Sequence, residues 1–265
     1  MTHHLFAAWP DIARQIARAG VAAFFTDFDG TLAPIRRDAR RVQLAEPVRR
    51  ALARLADRGL IVGVVSGRAI GDVRARVGVD GIWYVGDHGF LLRDPRHRTV
   101  KLVTSRERAR IAGVTRQLRR ALGHVAGITV EHKGATVAVH YRNARAGNQH
   151  LAAEAVRRTI GRRRGLRLMH GKKVWEILPA GHVDKSTAIR RILRAERRRG
   201  SVRLKIYVGD DIADERVFAT WNGLSVAVGH QPHTAARYYL RSPLEVHAFL
   251  RRLERALDNG PHHAR

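Results

Sequence analysis

Across 265 residues, 50 Lys and Arg face 23 Asp and Glu, a net charge of +27, and 45% of the residues are hydrophobic. That length and apolar share suit one large domain, or a core with a smaller one inserted, and the absence of cysteine excludes disulfides, thiolate catalysis and cysteine zinc sites. No apolar run approaches the ~20 residues of a bilayer-spanning helix, and the opening MTHHLFAAWPDIARQIARAG has neither the uninterrupted apolar segment nor the cleavage site of a signal peptide, so a cytoplasmic location is expected.

In chain order, Val21–Thr26 is a continuous apolar run that stops at DFDGT and reads as a buried strand. Leu44–Arg58 repeats apolar residues at helical spacing (Leu44, Val48, Leu52, Leu55) and stops at Gly59. Leu60–Val65 and Ile82–Val85 read as two more buried strands. Helical patterns over Arg106–Leu122 and Gln149–Arg164 then flank two strand-like runs, Ile128–Val130 and Thr136–Tyr141, which meet at a turn around Lys133-Gly134. Further strand patterns follow at Leu166–Met169 and Val174–Leu178. A helix over Lys185–Arg199, strands at Lys205–Val208 and Leu224–Val228, and a last helix close the chain. That helix opens on Ser242-Pro243-Leu244-Glu245, the pattern of a capping box, and is expected to turn Leu244, Phe249, Leu250 and Leu253 inward. Strands alternating with helices predict an α/β fold, a Rossmann-like parallel sheet. The middle predicts an inserted α+β cap at 92–180, leaving 1–91 and 181–265 as the core.

The charge implies attraction to anions, whether phosphorylated small molecules, nucleic acid or anionic membranes, or else arginine-rich solvated faces. Arg162-Arg163-Arg164 and Arg197-Arg198-Arg199 read as helix ends, where cations offset the helix dipole. His3, His4, His262 and His263 lie at the termini and are read as no metal site.

Four segments at strand or helix ends carry chemistry. Asp27-Phe28-Asp29-Gly30-Thr31 follows the first buried strand, and ligands of open parallel sheets bind beyond the carboxyl ends of the strands. Two carboxylates so close together call for a cation, and Mg²⁺ prefers such oxygens. A calcium loop is rejected, because position twelve from Asp27 is Asp38 in a basic stretch rather than glutamate. Ser66-Gly67-Arg68 offers a hydroxyl and backbone N–H groups for phosphoryl oxygens. Lys185 opens a helix, where the dipole opposes it unless an anion is near. Gly209-Asp210-Asp211, with Asp214 and Glu215, gathers four acids in a strongly basic chain.

DFDGT, VVSGR, Lys185 and GDDIADE, in that order, resemble the four motifs of the haloacid-dehalogenase-like phosphatases. The resemblance implies Asp27 as nucleophile and Asp29 as the acid that protonates the leaving oxygen and then activates water. It implies Ser66 and Lys185 as holders of the phosphoryl group. Asp27, the Asp29 carbonyl and Asp210 would hold magnesium, with Asp211 in support and Asp214 behind them. Covalent catalysis splits the reaction into two easier steps, a demanding task because phosphate-monoester hydrolysis needs accelerations up to ~10²¹. VGDHG, EHKGATVAVHYRN and GKKVWEILPAGHVDKSTAI are similar to the trehalose-6-phosphate phosphatase family within that superfamily. By that resemblance Gly67, Arg68, His88, Glu131, Lys133, Arg142, Lys172 and Glu176 would bind substrate or help close the cap, the last five through sugar hydroxyls. Carboxylates and cations suit hydroxyls and phosphate, though alternating polar residues also suit the wet face of a sheet. Trp175 is read as cap core. The pattern departs at Asp87, where asparagine is usual, at Ser186 in place of glycine and at Ala213 in place of threonine. The expected partner is a small sugar phosphate, with sucrose phosphate or a mannosyl phosphoglycerate as alternatives. No membrane partner is expected, nucleic acid at most non-specifically, and the chain is expected to be a monomer. A nucleic-acid-binding protein on the same scaffold is the alternative of another class.

Overall fold

A computed structural model describes residues 2–19, 21–36, 38, 41–161 and 164–258. They form two compact units, residues 1–100 with 184–265, and residues 101–183. In the first unit lie β1 (His3–His4), α1 (Trp9–Ala17), β2 (Val21–Thr26), α2 (Glu46–Asp57), β3 (Ile61–Val65), α3 (Ile70–Val77), β4 (Trp83–Gly86), β5 (Leu91–Arg93) and β6 (Thr99–Lys101). The second holds α4 (Ser105–Leu122), β7 (Thr129–His132), β8 (Val137–His140), α5 (Ala146–Gly161), β9 (Leu166–Gly171) and β10 (Val174–Pro179). The chain then returns to the first through α6 (Lys185–Ala195), β11 (Val202–Gly209), α7 (Ile212–Phe218), β12 (Leu224–Val228), β13 (Tyr238–Leu240) and α8 (Pro243–Asp258).

The large sheet has the order β1-β13-β12-β11-β2-β3-β4-β5-β6. Its central strands are parallel, and β5 runs antiparallel to β4. VAAFFT and IVGVV are continuously apolar because both faces of such a sheet are covered. Phe24, Val62 and Val64 belong to one cluster with Ile12 and Ile16 of α1, Leu52 and Leu55 of α2, and Phe249 and Leu253 of α8. Behind the sheet Phe25 meets Trp221 edge-on, and Tyr207 meets Phe218 of α7. From β2 the order advances to β3 and β4 on one side and to β11, β12 and β13 on the other. The carboxyl end of β2 therefore lies at the switch point where ligands of such sheets bind.

Several elements differ from expectation. The second helix begins at Glu46, with Pro47 in its first turn, and Leu44 is buried before it. Leu244 is 75% exposed, while Val246, Phe249, Leu250 and Leu253 face inward. In place of a capping box, Glu245 accepts from the Arg241 N–H at 2.8 Å and meets the His4 ring at 2.9 Å. His3 and His4 do not form a loose end, since they pair in parallel with β13. Sequence periodicity did not reveal α1, although Pro10 opens it and Ile12 and Ile16 stack one turn apart. The expected insertion at 92–180 and the unit at 101–183 differ at their start because β5 and β6 continue the large sheet. Arg162, Arg163, His262 and His263 lie outside the described residues.

The second unit is a four-stranded antiparallel sheet of order β7-β8-β10-β9. Val137, Val139 and Ile177 pack against Ile111, Val114 and Leu118 of α4 and Ala152 and Val156 of α5. A capping box starts α4: Thr104 accepts from the Glu107 N–H at 3.2 Å, and Glu107 accepts from the Thr104 N–H at 2.8 Å. Thr104→Ala is expected to lower unfolding stability by about 1 kcal/mol; denaturant unfolding checks this, and an unchanged midpoint would refute it. No described helix is long and apolar enough to cross a membrane.

Candidate active site

The end of β2 is held in place before any side chain acts. The Asp27 N–H continues the ladder to the Val208 carbonyl at 2.8 Å. The chain then reverses, with the N–H groups of Leu32 and Ala33 both reaching the Phe28 carbonyl at 3.0 Å. Gly30 sits in that turn at φ +79°, and a Cβ there would overlap the Asp210 carboxylate. Glycine is thus required twice, for its backbone angle and for the close approach of the β11 end.

Lys185 is the first residue of α6 and only 3% exposed. Its Nζ donates to Asp27 Oδ1 at 2.8 Å and to Asp214 Oδ1 at 2.7 Å. The anions expected beside this lysine are therefore these two carboxylates. Burial alone would push its pKa down, but Asp214 and Asp27 hold it above the usual lysine range. Burial also pushes the Asp27 carboxyl well above the usual carboxylate range; Lys185 opposes the rise, and Asp214 and Asp210 add to it. Asp184 caps α6, accepting from the Thr187 N–H and from the Ser186 hydroxyl, both at 2.8 Å. The serine at 186 is thus absorbed into the cap of the helix that presents Lys185. Gly89, at φ +110°, lies so close to the Asp184 carbonyl that a Cβ would overlap it.

Asp27, Asp210 and Asp214 are all buried, and they bring carboxylate oxygens within 4.8 Å of one another. Three carboxylates against one ammonium, shielded from water, leave a negative excess that a hard divalent cation fits. The three do not stand alike toward such a cation. Asp214 Oδ1 accepts from Lys185 and from the Tyr207 hydroxyl at 2.5 Å, and Oδ2 accepts from the N–H groups of Asp210 at 2.9 Å and Asp211 at 3.0 Å. Four donors fill it, which makes it an anchor. Asp210 accepts from the Thr31 hydroxyl at 3.3 Å. Asp211 turns its carboxylate to the start of α7, accepting from the Ile212 N–H at 2.7 Å. Asp29 lies at the rim, where Arg68 grips both its carboxylate oxygens at 2.5 and 2.7 Å and also reaches Asp72 at 2.7 Å. Thus Asp27 and Asp210 come together as expected, while the Asp29 and Asp211 side chains point away from the cluster and Asp214 joins it. Nothing in the residue pattern of KIYVG marked Tyr207, which is fully buried and whose phenol burial pushes well above its usual pKa.

Ser66 directly follows β3, one strand from Asp27, and its hydroxyl accepts from the Arg68 N–H at 3.1 Å. The Asp87 N–H reaches the Arg68 carbonyl at 2.8 Å and the His88 N–H reaches that of Ser66 at 3.2 Å, which ties the two loops together. A Cβ at Gly67 would overlap the His88 ring. Asp87 and His88 have φ of +51° and +56°; aspartate tolerates this left-handed region much as asparagine does. Arg68, expected at the substrate, is engaged with Asp29 and Asp72. Ala213 is followed directly by the Asp214 anchor, and the structure gives no reason for alanine there.

In the second unit, pairing of Glu131 and Glu176 with Ala138 places both acids on the sheet face opposite α4 and α5. Lys133 Nζ donates to Glu176 at 2.5 Å, and His140 meets Glu131 at 2.8 Å. The His140 hydrogen bond holds the Glu131 carboxyl below its usual range, against its burial. Arg142 and Lys172 meet at the other end of the sheet, where the Arg142 guanidinium donates to the Lys172 carbonyl at 2.6 Å. Trp175 packs on the cap core, stacked on Tyr141 at 4.0 Å.

Comparison with known proteins places this geometry. A trehalose-phosphate phosphatase of Mycobacterium tuberculosis H37Rv is 39% identical over 249 residues, covering 90% of this chain. That of Mycolicibacterium paratuberculosis is 39% identical over 252 residues with the same coverage. The chain spans 63% of the length of these curated relatives. Among solved structures, the C-terminal domain of a Candida albicans trehalose-6-phosphate phosphatase superposes with a TM-score of 0.82 at 22% identity, covering 96% of this chain and 98% of its own. A haloacid dehalogenase-like hydrolase from Bacteroides thetaiotaomicron gives 0.64 at 16% identity, covering 88% of this chain and 100% of its own. The parallel core and its insertion are therefore a haloacid-dehalogenase-like fold. The family model for trehalose-phosphatase matches residues 25–243, from the strand that leads into Asp27 to the first residue of the last helix, and the chain belongs to that family.

Proposed function

We propose that this chain hydrolyses trehalose 6-phosphate to trehalose and phosphate, with Asp27 as the nucleophile. The supporting observation is the buried ammonium of Lys185 shared between Asp27 and Asp214 at the switch point of the sheet, in a member of this family. Asp27 attacks phosphorus, and the bond to the sugar oxygen breaks as Asp29 gives that oxygen its proton. Asp29 then takes a proton from the water that hydrolyses the aspartyl phosphate. This role requires Asp29 to leave Arg68, whose fork is then positioned for a phosphoryl oxygen. Ser66 and Lys185 steady the phosphoryl oxygens, and Asp214, filled by its four donors, fixes Lys185 and the Asp210–Asp211 turn. Asp27, Asp210 and the Asp29 carbonyl would hold Mg²⁺, which supplies neutralisation of the phosphoryl charge. Gly67 and His88 shape the wall beside Ser66.

Glu131, Lys133, Arg142, Lys172 and Glu176 recognise sugar hydroxyls in this reading. Glu131→Ala is then expected to lower kcat/KM for trehalose 6-phosphate by about 10- to 100-fold, the worth of hydrogen bonds to a charged group, while an aryl phosphate is hydrolysed nearly as before. Equal losses on both would remove Glu131 from recognition. The substrate itself is tested by phosphate release with Mg²⁺ from trehalose 6-phosphate, glucose 6-phosphate, sucrose 6-phosphate and mannosyl phosphoglycerate. A preference of about 100-fold or more in kcat/KM for the first is expected, a margin of about 2.7 kcal/mol. Preference for another of the four would keep the chemistry and reject trehalose 6-phosphate.

A further inference from the structure

The phosphatase reading uses the acids and few of the basic residues, and the surplus charge is unevenly placed. Residues 101–183 carry 18 Lys and Arg against 4 Asp and Glu, a net +14 in 83 residues. The other 182 carry 32 against 19, a net +13. The four acids of the smaller unit are engaged elsewhere: Glu107 caps α4, Glu131 meets His140, Glu154 meets His150 and Glu176 meets Lys133.

The two helices of this unit present their arginines outward. Ile111, Val114, Leu118 and Leu122 turn one side of α4 to the sheet, and Ala152, Ala155 and Val156 do the same for α5. Arg106, Arg116, Arg120, Arg157 and Arg158 are all exposed, and among the described residues no carboxylate lies within ion-pair distance of any of them. In the other unit several helix arginines are answered, Arg54 by Glu254, Arg58 by Asp258, Arg50 by Glu46 and Arg76 by Asp72. Arg191, Arg251 and Arg255 are exposed without such a partner among the described residues, and are spread over two helices in a unit that carries 19 acids. Arg116 and Arg120 sit four residues apart on one helix, a like-charge spacing that costs a few tenths of a kcal/mol. The apolar side of α4 is already buried, so neither helix offers the apolar stripe that a membrane-surface helix needs, and Leu151 is the one exposed large hydrophobic residue described in this unit. What is left is a row of guanidinium forks over an 18-residue helix about 27 Å long and its neighbour. Guanidinium matches phosphate bidentately, and duplex DNA offers a phosphate every ~3.4 Å along each strand.

We propose that the outward face of α4 and α5 binds the phosphate backbone of duplex DNA, without base specificity, through Arg106, Arg116, Arg120, Arg157 and Arg158. The inference is independent of the phosphatase reading. The test is fluorescence anisotropy of the full chain with a labelled 20-base-pair duplex of arbitrary sequence, across 50–200 mM NaCl. Five contacts give a slope of log K against log[salt] of about −4.5, a loss of about 500-fold over that range. The variant Arg116→Gln/Arg120→Gln/Arg157→Gln/Arg158→Gln is expected to keep its fold by circular dichroism and its phosphatase rate, and to lose about 3.6 from the slope. Replacing four exposed arginines of the other unit, Arg18, Arg191, Arg251 and Arg255, by Gln is expected to change the slope by less than about 1. A wild-type slope in the helix variant would overturn the proposal. So would an equal loss in the control variant, or tighter binding to phosphatidylserine vesicles than to the duplex.

Discussion

Asp27→Asn is expected to lower kcat on trehalose 6-phosphate by about 10⁴-fold or more, the scale seen when a covalent nucleophile is removed. Asparagine fills the same space and keeps a hydrogen-bonding oxygen toward Lys185, so packing around Phe28 and Val208 is unchanged. The carboxylate itself is buried, with Asp210 and Asp214 close by. Removing its charge relieves repulsion while leaving Lys185 paired with Asp214 at 2.7 Å. The variant is therefore expected to melt no lower than the parent. Single-turnover kinetics with acid quench, beside calorimetry, checks both halves. The parent should accumulate acid-stable phosphate on protein and the variant none. Activity within about tenfold of the parent would sink the nucleophile assignment.

Lys185→Met is expected to be damaging in both respects. The methionine reaches nearly as far but leaves Asp27 and Asp214 facing each other in a buried site with no cation between them. Breaking a buried pair by removing one partner costs about 3–5 kcal/mol, and loss of a charge aimed at the phosphoryl group costs about 10²–10³ in kcat. The two effects separate in the double variant Lys185→Met/Asp214→Asn. Neutralising Asp214 is expected to recover much of the melting temperature and none of the rate. Recovery of rate together with stability would mean that Lys185 acts only as a structural counter-ion. Chemical denaturation and initial-rate assays on the same preparations decide between them.

The strands were legible because a parallel sheet covered on both faces favours nearly continuous apolar runs, and Val21–Thr26 and Leu224–Val228 are apolar but for the buried Thr26 and Ser225. Helix orientation was less legible. Leu244 lies five residues before Phe249, about 140° around the helix, so it faces solvent although its residue type suggested the core. The first helix escaped notice because two isoleucines one turn apart are too short a pattern against a charged background.

In the site, residue order placed Asp27, Ser66, Lys185 and Asp210 at the ends of elements and called for an ion there, because strand-end acids and a helix-opening lysine are costly without one to share. The resemblance of their motifs to the haloacid-dehalogenase-like phosphatases implied a phosphoryl-transfer centre. Which acid faces which partner was decided only in three dimensions. Asp211 and Asp214 are three residues apart, yet one occupies the cap of α7 and the other the first turn, so one carboxylate turns to the helix end and the other into the core against Lys185 and Tyr207. Arg68 finds Asp29 across 39 positions, and Gly30 makes room for Asp210 across 180. Such pairings depend on the register of neighbouring strands and on side-chain direction at their ends. Those are properties of the assembled sheet, which no local run of residue types encodes.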